Sequence, residues 1–366
     1  MTDQQPSPLN KTKLSLQALQ NRIKGLSDEP PAVSDHDLSG QNYQGIDLSG
    51  GAFAKVDFTG CDFSQANLQQ ANFVECIFDK VNFTQAQLAS CNFVKCSALK
   101  ANFQAPVGEG VNIIQSDFSQ AKFEYWQCKQ LNVVETNLDR VSFNHSHFFE
   151  ANFITCQLNQ SQWHKTVHYR TNYIDCEFNE ANLDEAELEL VFFQNANFDD
   201  FDFRKVIIKI CQFRESSLKN ANFQECNLTQ CGFMEAKLNS TNFRGAIANN
   251  VMFIKANISN SDFRDCELEQ ALFNEAIVKQ SNFAKSKLVQ AQFTNADVSE
   301  SSFDGCDLTY VDFSNANLTD ALISNATLFR TNLHCITDQG TNWFGSDKTL
   351  ALGTDKNKEK AENFSQ

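Results

Sequence analysis

The sequence lacks the marks of most membrane and catalytic classes. No apolar run approaches the roughly 20 residues that a membrane-spanning helix needs. The start, MTDQQPSPLN, carries neither the charged nor the apolar region of a secretory signal, so a cytoplasmic protein is expected. Positive charge is scarce. The 30 Lys and Arg stand against 45 Asp and Glu, a formal net charge of -15, which argues against direct binding of nucleic acid or anionic membrane and favours a basic protein partner. Also missing are a Gly-rich phosphate loop with its Lys, a G-x-S-x-G elbow, an H-E-x-x-H pair and any C-x-x-C. The acidic residues are spread along the chain without a local pocket that would shift a pKa. The expectation is a protein without catalytic residues, cofactor or metal.

What the chain does have is a core and a period. Hydrophobic residues make up 42% and charged residues 20%, enough apolar surface to fold. In the stretch ANFQECNLTQCGFMEAKLNSTNF, Phe223, Leu228, Phe233, Leu238 and Phe243 fall five apart, each with a small residue two places earlier. Every fifth position from Leu38 to Leu333 gives 60 such centres, and 55 of them are Phe, Leu, Ile, Val, Tyr or Trp. The register never slips.

A period of five fits neither a helix nor a flat strand. Small residue, outward residue and large centre make three residues of extended chain with two facing inward. An odd period would then send the next large residue outward, so the last two positions must turn a corner. Coils of such sides, stacked at strand spacing, form a β-solenoid. A second period sets the number of sides. The residues after the centres at Val74, Val94, Ile114, Val134, Ile154 and Ile174 are β-branched and 20 apart. Four pentapeptide sides per coil follow, hence about 15 coils and a rod of roughly 70 Å at ~4.8 Å per coil.

The units ANFQE, CNLTQ, ANLTD and CDFSQ resemble the A(D/N)LXX motif of bacterial pentapeptide-repeat proteins, over residues 36 to about 345. The resemblance implies an all-β, right-handed, quadrilateral parallel β-helix, generally without catalytic activity. It also implies two classes of function. One is a non-enzymatic scaffold or adaptor, of the sort linked to bacterial secretion or signalling systems. The other is a mimic of duplex DNA that binds DNA gyrase or another topoisomerase.

The cysteines and histidines follow the repeat. Eleven of the 13 Cys occupy the small inward slot, where Cys acts as a small buried hydrophobe and free thiols are expected. His164 and His168 have H-x3-H spacing, but on a solenoid His168 is an inward centre and His164 points out. His145, His147 and His164 fall near one outer corner, with Phe149 and Tyr169 stacked nearby. That group is either solvated surface or a contact patch.

Two outward features exceed the demands of the repeat. Asp175, Glu177, Glu180, Asp184, Glu185, Glu187, Glu189, Asp199, Asp200 and Asp202 form an acidic belt, with no Lys or Arg between residues 171 and 203. It serves either solubility or a basic partner surface that otherwise holds DNA. The β-branched stripe reflects either β-propensity or an interface, through self-association as a homodimer or through a partner groove.

The ends complete the domain reading. Residues 1–35 hold an amphipathic helix over 12–25, with Leu16, Leu19, Ile23 and Leu26 on one stripe, expected to cap the first coil. The solenoid runs over 36–345, with Trp343 and Phe344 closing the last coil. Residues 346–366 read as a polar, disordered tail. One irregularity, QAPVGEGVN at 104–112, puts Gly108 at a centre and reads as a bulge or short loop.

Overall fold

The computed structural model describes residues 13–28 and 31–363. The chain divides into two compact units, Met1–Glu187 and Leu188–Gln366. Each is a parallel β-solenoid in which a coil takes 20 residues.

In the first unit three-residue strands stack in register, with Val33 on Phe53, Phe53 on Phe73, Phe73 on Phe93 and so on to Phe153 and Tyr173. The ladder begins at Ala32–Ser34, ahead of the first counted centre, so the number of coils differs slightly from the expected fifteen. In the second unit isolated parallel bridges repeat the spacing, from Gln212 with Gly232 to Asn332 with Leu352. A second small sheet in the first unit pairs Gln127–Lys129 with His147–Phe149 and the latter with Val167–Tyr169.

The centres fill the axis. Phe73 stacks on Phe53 and Phe93 at centroid distances of 5.0 and 5.2 Å and meets Phe78, on the next side, edge to face at 5.0 Å. In the second unit Phe233 stands between Phe213 and Phe253 at 5.1 and 5.2 Å. Both geometries suit the ring quadrupole.

The corners explain the rest of the motif. Almost every fifth residue, two places after the centre, takes the left-handed conformation, as at Lys55 (φ 54°) and Gln65 (φ 59°). The Asn or Asp before the centre accepts the N–H two residues on, as Asp57 does from Thr59 at 2.8 Å, so the side chain shapes the turn. At an ordinary corner the next small residue closes the turn, with Cys61 N–H donating to the Phe58 carbonyl at 2.9 Å. At Val74, Val94, Ile114, Val134, Ile154 and Ile174 the chain stays extended instead, each ending a three-residue strand. Branching at Cβ favours extended backbone, which ties the stripe to local geometry.

Three expectations about the ends need correction. Helix α1 spans Leu16–Ile23, capped by the Ser15 hydroxyl on Ala18 N–H. Of its stripe Leu19 is buried, while Leu26 is 72% exposed, because Gly25 (φ 65°) has already turned the chain off the helical path. The 346–366 segment is ordered across its described residues. A 3-10 turn at Lys348–Leu350 leads to Leu352, whose carbonyl accepts from Leu333 N–H, and helix α2 spans Lys356–Asn363. Phe344 is 77% exposed, so it does not close the coil. At Gly108 the ladder holds toward the preceding coil, with Leu88 N–H on the Val107 carbonyl at 2.7 Å. Among the described residues no bridge joins Val107 to Gln127 in the next coil, so the irregularity is local and one-sided, as a bulge or short loop would be. A Cβ at Gly108 would lie 2.4 Å from the Ala89 nitrogen, so this centre is backbone rather than side chain.

Candidate interaction surface

All 13 cysteines are free and 12 are buried. The slot thiols do more than fill space. Cys61 and Cys266 donate to carbonyls of the preceding coil, Leu38 and Phe243, at 3.1 and 2.9 Å, as the Ser281 hydroxyl does to Ile258 at 2.9 Å. Burial pushes the Cys91 and Cys231 thiols up to about 12, which leaves them unreactive at neutral pH.

His168 lies in the core, and its ring nitrogens lie 2.8 Å from Thr166 Oγ1 and 3.0 Å from the Tyr173 hydroxyl. Thr166 gives its own proton to the Trp163 carbonyl, so Nε2–H donates to Thr166 and Nδ1 accepts from Tyr173. Burial, and then the nearby His147, push its pKa down to about 3. His164 points outward, so the H-x3-H pair does not converge.

The outward aromatics of the first unit form two groups. At one corner Tyr125 lies flat on His145 at 5.0 Å, and His145 meets His164 edge to face at 5.7 Å. On the face of the second sheet Phe149 neighbours Tyr169 at 6.4 Å and His147 at 6.5 Å. The Arg170 guanidinium lies 5.2 Å from the Tyr169 ring centroid, a cation–π contact. Tyr125, 51% exposed, is a member that sequence reading missed. The signal was available, since Tyr125 is 20 residues before His145.

The acidic residues fare differently in the two units. In the first, Glu177 and Glu180 take amide hydrogens from Asn159 and Gln160. Glu185 sits 3.6 Å from Lys165 and 4.0 Å from His164. Glu187 is exposed at the start of an outward strand, while Asp175 is exposed at one corner and Asp184 half-buried two corners further on. In the second unit Glu189 pairs with Lys209, Asp199 with Lys219 and Asp202 with Nε and Nη2 of Arg204, while Asp200 accepts from the Asn220 amide. The six stripe residues are half-buried apart from Val74, which is 39% exposed.

The repeat, the coil and its corners agree with family models. A "Pentapeptide repeat region" model matches residues 35–103 and 226–297, and a "Pentapeptide repeats (8 copies)" model matches 170–208, 286–325 and 299–334. The chain belongs to the pentapeptide-repeat family. Solved structures similar to this pentapeptide-repeat chain include a trypsin-treated variant of QnrB1, a plasmid-mediated fluoroquinolone resistance protein, at 21% identity and TM-score 0.30, covering 50% of this chain and 81% of that one. Another is HetL from Nostoc sp. strain PCC 7120, a pentapeptide-repeat protein involved in heterocyst differentiation regulation, at 19% identity and TM-score 0.25, covering 68% and 91%. A search of curated protein sequences gave no match. Pentapeptide-repeat proteins are generally non-enzymatic binding or structural proteins. No helix among the described residues is long and apolar enough to cross a membrane.

One group in this pentapeptide-repeat chain has the chemistry of a metal site. His334, Cys335 and Glu362 bring their ligand atoms within 4.8 Å of one another. The imidazole is already committed, however, with Nδ1 accepting from Asp355 N–H and Nε2 facing Glu362, each at 3.1 Å. The arrangement fastens α2 to the coil.

Proposed function

We propose that this chain is a non-enzymatic protein-binding scaffold that engages its partner through the outward face carrying Phe149 and Tyr169. The observation that carries the reading is the pairing of these two rings on one flat sheet, backed by Arg170. Aromatic and Arg side chains are the groups that dominate protein interfaces. The solenoid core absorbs the inward residues, so recognition falls to outward positions, and this cluster offers both apolar area and a polar edge.

The finer forms of the reading are an adaptor in a bacterial secretion or signalling system and a DNA mimic that binds gyrase or topoisomerase. They differ in which surface is used. Glu177, Glu180 and Glu187 favour the mimic, because no cation is paired with them among the described ion pairs. Against it, Glu189, Asp199 and Asp202 spend their charge on Lys209, Lys219 and Arg204. A DNA mimic needs its charge directed outward, and the scaffold therefore ranks first.

Capture from a bacterial lysate at low and moderate salt separates them, using three forms of the full chain. The scaffold reading expects a salt-resistant partner that Phe149→Ser with Tyr169→Ser loses and that Glu177→Gln, Glu180→Gln and Glu187→Gln together retains. Topoisomerase subunits lost with the carboxylates, and indifferent to the aromatic pair, would replace it with the mimic.

A further inference from the structure

The left-handed corner residue is a polar side chain or Gly in almost every coil, because αL is costly for bulky side chains and worst for β-branched ones. Two neighbouring corners of the second unit break that rule. Leu190 has φ 55° and Ile210 has φ 53°, and they belong to adjacent coils joined by Leu190 N–H on the Lys209 carbonyl at 3.0 Å. Both are large aliphatics and both are solvent-facing, with Leu190 36% and Ile210 42% exposed. Ile207, outward on the same short strand as Lys209, adds a third apolar side chain at 46%. Beside them lies a shallow hollow of about 290 Å³, bordered by Glu189, Ile208, Lys209, Ile210, Asn227 and Thr229. Folding gains nothing from a branched aliphatic in a strained, exposed corner. Strain kept at an exposed site points to a function for that site.

We propose that Leu190, Ile207 and Ile210 form the core of a two-fold interface between two copies of this chain. This goes beyond the scaffold reading and rests on different residues.

Charge selects the occupant. The chain has a formal net charge of -15, so two copies repel over most of their surfaces. At this patch Glu189 and Lys209, 3.8 Å apart, offset each other, which leaves a small negative balance from Glu187 on the same strand as Glu189. A two-fold axis through the patch presents Glu189 of one copy to Lys209 of the other and the reverse, which is the self-complementarity that an isologous contact requires. A strongly basic partner would find little net negative charge here, and an acidic one only a single, already paired lysine. Three apolar side chains make a small core, so a weak, concentration-dependent dimer is expected.

Sedimentation velocity of the full chain over a wide concentration range tests this directly. The wild type is expected to shift from monomer to dimer as concentration rises. Ile210→Asn should fold normally, since Asn195, Asn220 and Asn250 occupy left-handed corners in the same unit, and should weaken association at least tenfold. Glu189→Lys and Lys209→Glu should each do the same alone, and mixing the two single variants should restore the dimer as a heterodimer, a result that a purely local role of the ion pair would not give. A wild type that stays monomeric throughout, or an Ile210→Asn chain that associates as well as the wild type, would overturn the proposal.

Discussion

Ser116 stands one coil beyond Cys96 and its hydroxyl accepts the Cys96 backbone N–H at 3.0 Å. The same hydroxyl donates to the Ile114 carbonyl at 2.8 Å. This links the β-branched stripe to the polar residues in the slot that follows it. Where Val94 keeps the chain extended, the next N–H is not turned back onto its own centre, and a group in the neighbouring coil must receive it. Ser216 does this for Ala196, after the strand that ends at Gln194, at 3.2 Å.

Replacing that acceptor should be expensive for its size. Ser116→Ala removes one oxygen and leaves a buried N–H without a partner, a loss of about 1–3 kcal/mol. Ser116→Thr keeps the oxygen, as Thr136 does in the next coil, where it accepts from Ser116 N–H at 3.4 Å. Thermal and urea unfolding of the two variants should differ accordingly. Equal midpoints would show that the hydroxyl serves only to fill the slot.

The N-terminal cap should release in acid. Lys13 contacts Asp37 at 2.8 Å and Lys24 contacts Asp47 at 2.9 Å, tying both ends of α1 to the first coil. The Lys13 ammonium, then the Ser39 hydroxyl and N–H, hold the Asp37 carboxyl below its ordinary range; Lys24 and Ser49 do so for Asp47. A depressed carboxylate contributes stability that is present above its unfolded pKa, near ~3.9, and lost as pH falls through the folded value. Protection of the amides of residues 16–23, taken against the intrinsic exchange rate at each pH, should therefore be high at neutral pH and fall below about pH 4, ahead of the coils. Both pairs are largely solvent-exposed, so added salt should speed the same amides. Exchange insensitive to both would mean that Leu19, buried against the coil, holds the helix alone.

The legibility of the chain follows from the distance over which each feature is encoded. Core, corner and slot are set within five residues, so Phe233, Cys61 and the left-handed corner could be placed from the sequence. Surface chemistry is set between residues 20 apart. The window 171–203 holds no cation, yet Lys209 and Lys219 reach back to Glu189 and Asp199 from the next coil. A charge count along the chain cannot register a partner that stacking supplies. The same blindness hid Tyr125 from His145, and a search of the corner column at intervals of 20 would have found both that pair and Leu190 with Ile210. The tail was misread for another reason. Its helix is polar all round, and what orders it is a contact from outside, at His334.

That contact yields a prediction in which coil and helix can be told apart. His334 is buried in a late coil, and Nδ1 accepts from Asp355 N–H, which leaves Nε2–H to donate to Glu362. Asp355 in turn caps α2, its carboxylate receiving the N–H groups of Asn357 and Lys358 at 2.9 and 3.2 Å. Cap and clasp thus share one residue, and an eight-residue polar helix has little stability of its own. His334→Ala should lose protection across 356–363 and also lower the thermal midpoint of the solenoid, because it empties a buried site. Glu362→Ala touches only the helix side, so protection across 356–363 should fall while the midpoint holds. Hydrogen exchange read by mass spectrometry on both variants separates the two effects. If Glu362→Ala left α2 as protected as in the wild type, the helix would owe its order to the Asp355 cap rather than to the histidine clasp.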